Sequence, residues 1–165
     1  MAQFIHLLDQ RNAASIRRGG IKIARFTRRP IKGVFVQALT EDFQFTHQWM
    51  RELGRRRGPS LIAARLRIDD DEMVYIGKFN QDHLRCKAAE AIGIARSHTD
   101  SMGLEVVIPR AIRPKEIASI YRPPKVVGWR YYPAARGRRP CGCPYCQRGE
   151  PFSRPLRERY DAADA

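Results

Sequence analysis

Acidic residues are scarce: 17 Asp and Glu face 31 Lys and Arg in 165 residues, a formal charge of +14. The isoelectric point is near 10.4. Such an imbalance favours a polyanionic partner, most directly nucleic acid (DNA or RNA), with an anionic membrane surface or ribosome association as the alternatives. Long apolar runs are missing as well. No stretch approaches the roughly 18 consecutive apolar residues of a membrane span, so no membrane partner is expected. The opening MAQFIHLLDQ has neither the basic stretch nor the long apolar centre of a secretory signal, so a cytoplasmic location is the expectation. Cysteine is limited to four residues, which in that compartment read as thiols or metal ligands and not as a disulfide framework.

Several catalytic signatures are absent. There is no HExxH, and no His-x-Glu followed by PCxxC in deaminase order, so metal catalysis finds little support. Without a P-loop or a GxGxxG, the common nucleotide-dependent enzymes lose theirs. No nucleophile elbow points to a serine hydrolase, and no internal repeat or low-complexity tract organises the chain.

What is present reads as one domain with a hydrophobic core, since 43% of residues are hydrophobic and 29% charged. Residues 3–9 suggest a strand, and residues 11–18 a helix stopped by Gly19 and Gly20. IKIARF and GVFVQAL are strand candidates either side of the basic turn TRRPIK. From about Asp42 a helix is expected, because Phe45, Trp49 and Leu53 recur every four residues. SLIAARLRI and EMVYIGKF read as strands joined by an acidic turn. Residues 81–97 read as a helix with Leu84, Ala88, Ala91, Ile92 and Ala95 as its apolar stripe. SMGLEVVIPRAI follows as a strand, then PKEIASIYRP as a helical turn running into a strand, and VVGWRYYP as another. This order of mixed elements, with strands often neighbouring strands, predicts an α+β fold and not a doubly wound parallel sheet.

Composition shifts beyond Pro133. Seven arginines lie between 133 and 160, against Glu150, Glu158 and, just beyond, Asp161. Three of the four cysteines are here, as Cys141-Gly-Cys143-Pro-Tyr-Cys146. A structural zinc is held by about four thiolate or imidazole ligands, and this turn supplies up to three. Cys86 or a histidine would complete the set; on the helix expected at 81–97, Cys86 lies away from the apolar stripe, with His83 three residues before it. Free thiols in a turn, or redox or cluster chemistry, are the other readings of the same spacing.

Read alone, His47 is structural, His98 sits at a helix end where a cation is favoured, and His6 is a satisfied core histidine. Glu105, inside the apolar run of SMGLEVVIPRAI, is either a solvent-facing position or an acid placed in a cleft. Order along the chain adds something further. The stretch FIHLLDQRNAASIRRGGIK, with His6, Asn12, Ser15, Ile16 and Gly19 or Gly20, resembles the first motif of ADP-ribosyltransferases of the DarT and tRNA 2′-phosphotransferase kind. DDDEMVYIGKF, with Tyr75 near its centre, is similar to their middle strand. GLEVVIPRAIRPKEIASI is similar to their late segment, where a strand carries a glutamate. The resemblance covers about residues 3–120.

It implies a split mixed or antiparallel β-sheet core flanked by helices, assigned to residues 1–133; the basic, cysteine-rich tail at 134–165, marked by composition, lies outside it. It implies NAD as co-substrate, Glu105 as the catalytic carboxylate, and His6, Asn12, Arg17 and Tyr75 as cofactor-binding residues, with Arg18 and Arg25 as further pyrophosphate candidates. A toxin or defence role, with an inhibitor or antitoxin protein as partner, comes with it. The nucleic-acid acceptor is the reading of the charge: the RRR run at 55–57, the TRRP turn, and the tail with Trp129, Tyr131, Tyr132 and Tyr145 for base stacking. The competing reading is a non-enzymatic nucleic-acid-binding protein built around a zinc knuckle. Removal of an RNA phosphate with NAD is a third.

Overall fold

The computed structural model describes residues 1–23, 30–50, 53, 60–98 and 103–123. Seven strands form one sheet: β1 (Ala2–Asp9), β2 (Val34–Ala38), β3 (Leu61–Ile68), β4 (Met73–Lys78), β5 (Leu84–Lys87), β6 (Leu104–Ile108) and β7 (Ile117–Tyr121). The helices α1 (Ala13–Gly19), α2 (Phe43–His47) and α3 (Ala88–Ser97) accompany it. The fold is α+β, and every strand pair is antiparallel.

Strand order is β5-β4-β6-β2-β1-β3-β7. β1 pairs with β3 over its whole length, from Ala2↔Ile68 to Asp9↔Leu61. With β2 it shares two registered positions, Phe4↔Ala38 and Ile5↔Gln37. The sheet is therefore two halves meeting at a short seam. Alternation decides what each side carries. Phe4, Leu8, Val36, Leu66, Val74, Val106 and Ile108 point into the larger core, which α3 closes with Ala88, Ala91, Ile92 and Ala95. On the reverse side Ile5, Leu7, Leu61 and Ala63 pack against Trp49 and Met50. Each fully buried Phe, Ile or Leu contributes about 1.5–3 kcal/mol of transfer free energy, so this two-sided burial drives the fold.

The termini of elements follow local rules. Asp9 accepts from the Arg11 backbone N–H, opening the 3-10 turn (Gln10–Asn12) that leads into α1. Gly20 ends α1 at φ 74°, and a side chain there would collide with the Ile112 carbonyl. Ile21 and Ile112 then make an isolated bridge. At α3 the Glu90 carboxylate accepts from the Lys87 N–H at 3.0 Å.

One expectation is corrected. Residues 84–87 are not the start of a helix but the edge strand β5, paired with β4 as Val74↔Cys86 and Ile76↔Leu84. Leu84, assigned to the apolar stripe, is 60% exposed, and α3 begins only at Ala88. The helical periodicity is real from Ala88 onward; before it, Arg85-Cys86-Lys87 alternates exposed, buried, exposed, the signature of a half-buried strand. Of the strand expected from IKIARF, residues 21–23 form only the isolated bridge at Ile21, and the rest lies outside the described residues, as do VVGWRYYP and the tail.

Candidate active site

β6 is an interior strand, and all five of its residues are buried. Four are apolar; Glu105 is the exception, at 4% exposure. Alternation sends Leu104, Val106 and Ile108 into the larger core and turns Glu105 with Val107 to the other side. Across from Val107 are Tyr75 on β4 and Phe35 on β2. Continuing the β2–β6 register by one residue brings Gln37 level with Glu105. The start of β6 is pinned: Trp49 Nε1 donates to the Leu104 carbonyl at 2.9 Å, and the Gly103 N–H donates to Gln48 Oε1 at 2.6 Å. Glu105 therefore projects from backbone fixed on both sides.

Burying a carboxylate is costly unless it is paired. His83 faces it, with Nε2 at 3.4 Å from Glu105 Oε1 and the two side chains 6% and 5% exposed. Gly77 makes this approach possible. It lies directly opposite Glu105 on β4, and a side chain there would come within 2.6 Å of the Asp82 carbonyl oxygen and 2.9 Å of His83 Cγ. The chain turns back through Asn80, in the left-handed region at φ 62°, and lays the imidazole over the bare glycine. His83 Nδ1 donates to the Gln81 carbonyl at 2.8 Å.

Beside the pair is a cavity of about 490 Å³, walled by Ile31, Phe35 and Val107 and by Asn80, Asp82 and His83. An apolar wall with a few convergent polar groups is the usual make-up of a small-molecule site. Gln37, buried on β2, has a side-chain carbonyl oxygen without a hydrogen-bond partner among the described residues, and so does His83 Nε2.

The other sequence candidates are distributed as follows. His6 alternates with Phe4 and Leu8, on the larger-core side, and its Nδ1 lies 2.8 Å from the Phe35 carbonyl oxygen, so the ring spans the seam between β1 and β2. Asn12 ends the 3-10 turn and is exposed, making no side-chain cap to α1. Arg17 and Arg18 are exposed in the last turn of α1. Tyr75 is partly buried on Glu105's side of the sheet. Arg25, Cys141, Cys143 and Cys146 lie outside the described residues.

Cys86 is not on the polar face of a helix. It is on β5, 6% exposed within the larger core, where burial and then the Glu90 carboxylate push its thiol up. That environment disfavours the thiolate a metal needs. Among the described residues no group of three or more His, Cys, Asp and Glu is placed to hold a metal ion.

Sequence reasoning set His83 beside Cys86 and missed its carboxylate partner. The available signal was Gly77, a glycine inside a strand pattern, which marks close approach by another segment.

A second ionic cluster holds the exit of β6. Arg110 donates to Glu72 at 3.1 Å and to Glu116 at 2.7 Å, and Glu116 also accepts from the Arg113 N–H at 2.7 Å. Burial alone would raise the Glu116 carboxyl, but Arg110 and Arg113 outweigh it and hold it at about 2. Hydrogen bonds from Glu116 and Glu72 in turn raise the Arg110 guanidinium. This cluster ties the β3–β4 turn to the segment before β7.

Compared with family models, curated proteins and solved structures, the chain has no match in any of the three.

Proposed function

We propose that the chain is an NAD-dependent ADP-ribosyltransferase acting on nucleic acid, with Glu105 as its catalytic carboxylate. The observation that carries this reading is the burial of Glu105 on an interior strand of a seamed sheet, against the imidazole of His83, which itself lines a cavity. A carboxylate with only a structural task is rarely set among four apolar neighbours.

The donor set fits a ribose with a flat ring beside it. Phe35 walls the cavity, and on the same face of the sheet Glu105 and Gln37, whose Oε1 has no hydrogen-bond partner among the described residues, carry the oxygens that would accept ribose hydroxyls. When bound, NAD supplies an activated ribose whose bond to nicotinamide breaks with oxocarbenium character. Glu105 stabilises that positive charge and takes the proton of the incoming acceptor. Low dielectric around the buried carboxylate strengthens both effects. His6 holds the seam through the Phe35 carbonyl from the larger-core side, opposite the face that carries Glu105, so its assignment to the ribose rests on the resemblance alone.

The acceptor reading rests on charge. α1 and the segment before β7 bring Arg17, Arg18, Lys22 and Lys115 to the surface around the Ile21↔Ile112 bridge, and the net charge is +14. The non-enzymatic alternative draws on the same charge but gives no reason to bury Glu105 against His83. Incubating the protein with labelled NAD and separate DNA, RNA and protein pools, with a 2′-phosphorylated RNA alongside, tests the assignment and separates the acceptors. Label on nucleic acid is expected. No label in any pool, with salt-dependent nucleic-acid binding retained, would leave the binding-protein reading.

A further inference from the structure

Alternation turns one side of β4 and β5 to the larger core, through Val74, Ile76 and Cys86, and the other side away from it. On that outer side Tyr75 and Arg85 stand directly opposite each other. The row continues through Val107 on β6 to Phe35 on β2, and both of these wall the cavity. Neighbouring strands lie about 4.8 Å apart, so the Tyr75 backbone is about 10 Å from that of Phe35. Arg85 is one strand farther out, at the edge of the sheet. Tyr75 is partly buried and Arg85 exposed. Among the described residues neither the phenol nor the guanidinium has a hydrogen bond or an ion pair. Lys87, two residues along on the same side of β5, is instead held by Asp71 at 2.7 Å.

A tyrosine ring beside an unengaged guanidinium suits a ligand that joins a flat ring to an anion. In a chain of net charge +14 that description fits a nucleotide within a strand. We propose that Tyr75 and Arg85 hold the nucleic-acid acceptor, Tyr75 stacking on an unpaired base and Arg85 contacting the phosphate beside it. The base is unpaired because a duplex already covers both faces of each base with its stacked neighbours, leaving a side chain on a sheet only edges and backbone to meet. Stacking on an aromatic ring accepts any base, so this pair selects single strands and not a sequence. The strand counts as an acceptor only on the transferase reading, which this deepens: the cavity takes NAD, and the row beside it takes the strand that receives ADP-ribose. Tyr75 thereby moves from the cofactor, where the resemblance puts it, to the acceptor.

Binding of a fluorescein-labelled single-stranded oligonucleotide to the full chain, measured without NAD, reads this surface apart from the chemistry. The single strand binds more tightly than a duplex of the same length. Tyr75→Leu weakens it about five- to a hundredfold, whereas Tyr75→Phe, which keeps the ring, binds as the wild type does. Arg85→Gln, at an exposed position that folding does not depend on, lowers the slope of log affinity against log salt by about 0.7. Undiminished binding by Tyr75→Leu, or an unchanged slope in Arg85→Gln, overturns the assignment. The rise in melting temperature with millimolar NAD then decides between the two ligands for Tyr75. An equal rise in the wild type and Tyr75→Leu is expected; a rise lost in Tyr75→Leu returns the residue to the cofactor. Oligonucleotide binding as expected, with neither a rise with NAD nor label transfer in the wild type, keeps the surface and counts against the transferase reading.

Discussion

Gly77 and Glu105 stand directly opposite each other on neighbouring strands, and the side chain missing from the first is what admits His83 to the second. The buried acid, its partner and the turn that carries the partner depend on that one bare position.

Substituting Gly77 tests this dependence. Gly77→Ala forces the Asp82 and His83 backbone away from β4, since its Cβ would sit within 3 Å of both. Overpacking of this kind costs about 1–3 kcal/mol. A urea midpoint lowered accordingly, together with loss of NAD turnover, is the expected result; a variant as stable and as active as the wild type would show that the turn is not held where described.

Acid sensitivity should trace to Glu116. Its folded pKa of about 2 lies below the ordinary 4.5, so its contribution is complete above pH 4.5 and lost as pH falls toward 2. Roughly 2 kcal/mol is at stake, allowing for screening at the exposed Arg113. Comparing urea midpoints of the wild type and Glu116→Gln across that window checks this: the difference should shrink as the pH falls.

Cys86 is expected to matter for packing and not for metal. Cys86→Ala should lower stability by about 1 kcal/mol and leave the metal content of the purified protein unchanged. Metal that disappears with Cys86→Ala would mean the thiol is a ligand despite its place in the core. Cys143→Ser serves as the control for the cysteine-rich tail.

Nucleic-acid binding, measured against salt, should flatten when the surface around the Ile21↔Ile112 bridge loses charge. Replacing Arg17, Arg18, Lys22 and Lys115 with Gln should reduce the slope of log affinity against log salt by about 0.9 for each phosphate contact removed on duplex DNA. An unchanged slope would move the contact surface elsewhere.

Much of the fold was legible because strands buried on one or both sides announce themselves. The β-forming runs QFIHLLD, SLIAARLRI and EMVYIGKF marked β1, β3 and β4, and Gly20 marked the end of α1. β5 was hidden because Leu84 falls in phase with the true stripe of α3, so the helix expected from residue 81 was begun seven residues too early. The burial of Glu105 was harder to read. Five consecutive buried positions on β6 arise from its place between β4 and β2, and strand order is a long-range property that local alternation does not encode. His83 escaped for the same reason: twenty-two residues separate it from Glu105, and only the β4–β6 register brings them together.

Transfer of label from NAD to nucleic acid by the wild type and by Glu105→Gln, at matched thermal stability, tests the central claim most directly. Catalysis by Glu105 predicts labelled nucleic acid with the wild type and a loss of at least about a hundredfold in the variant. Undiminished transfer by Glu105→Gln would contradict it.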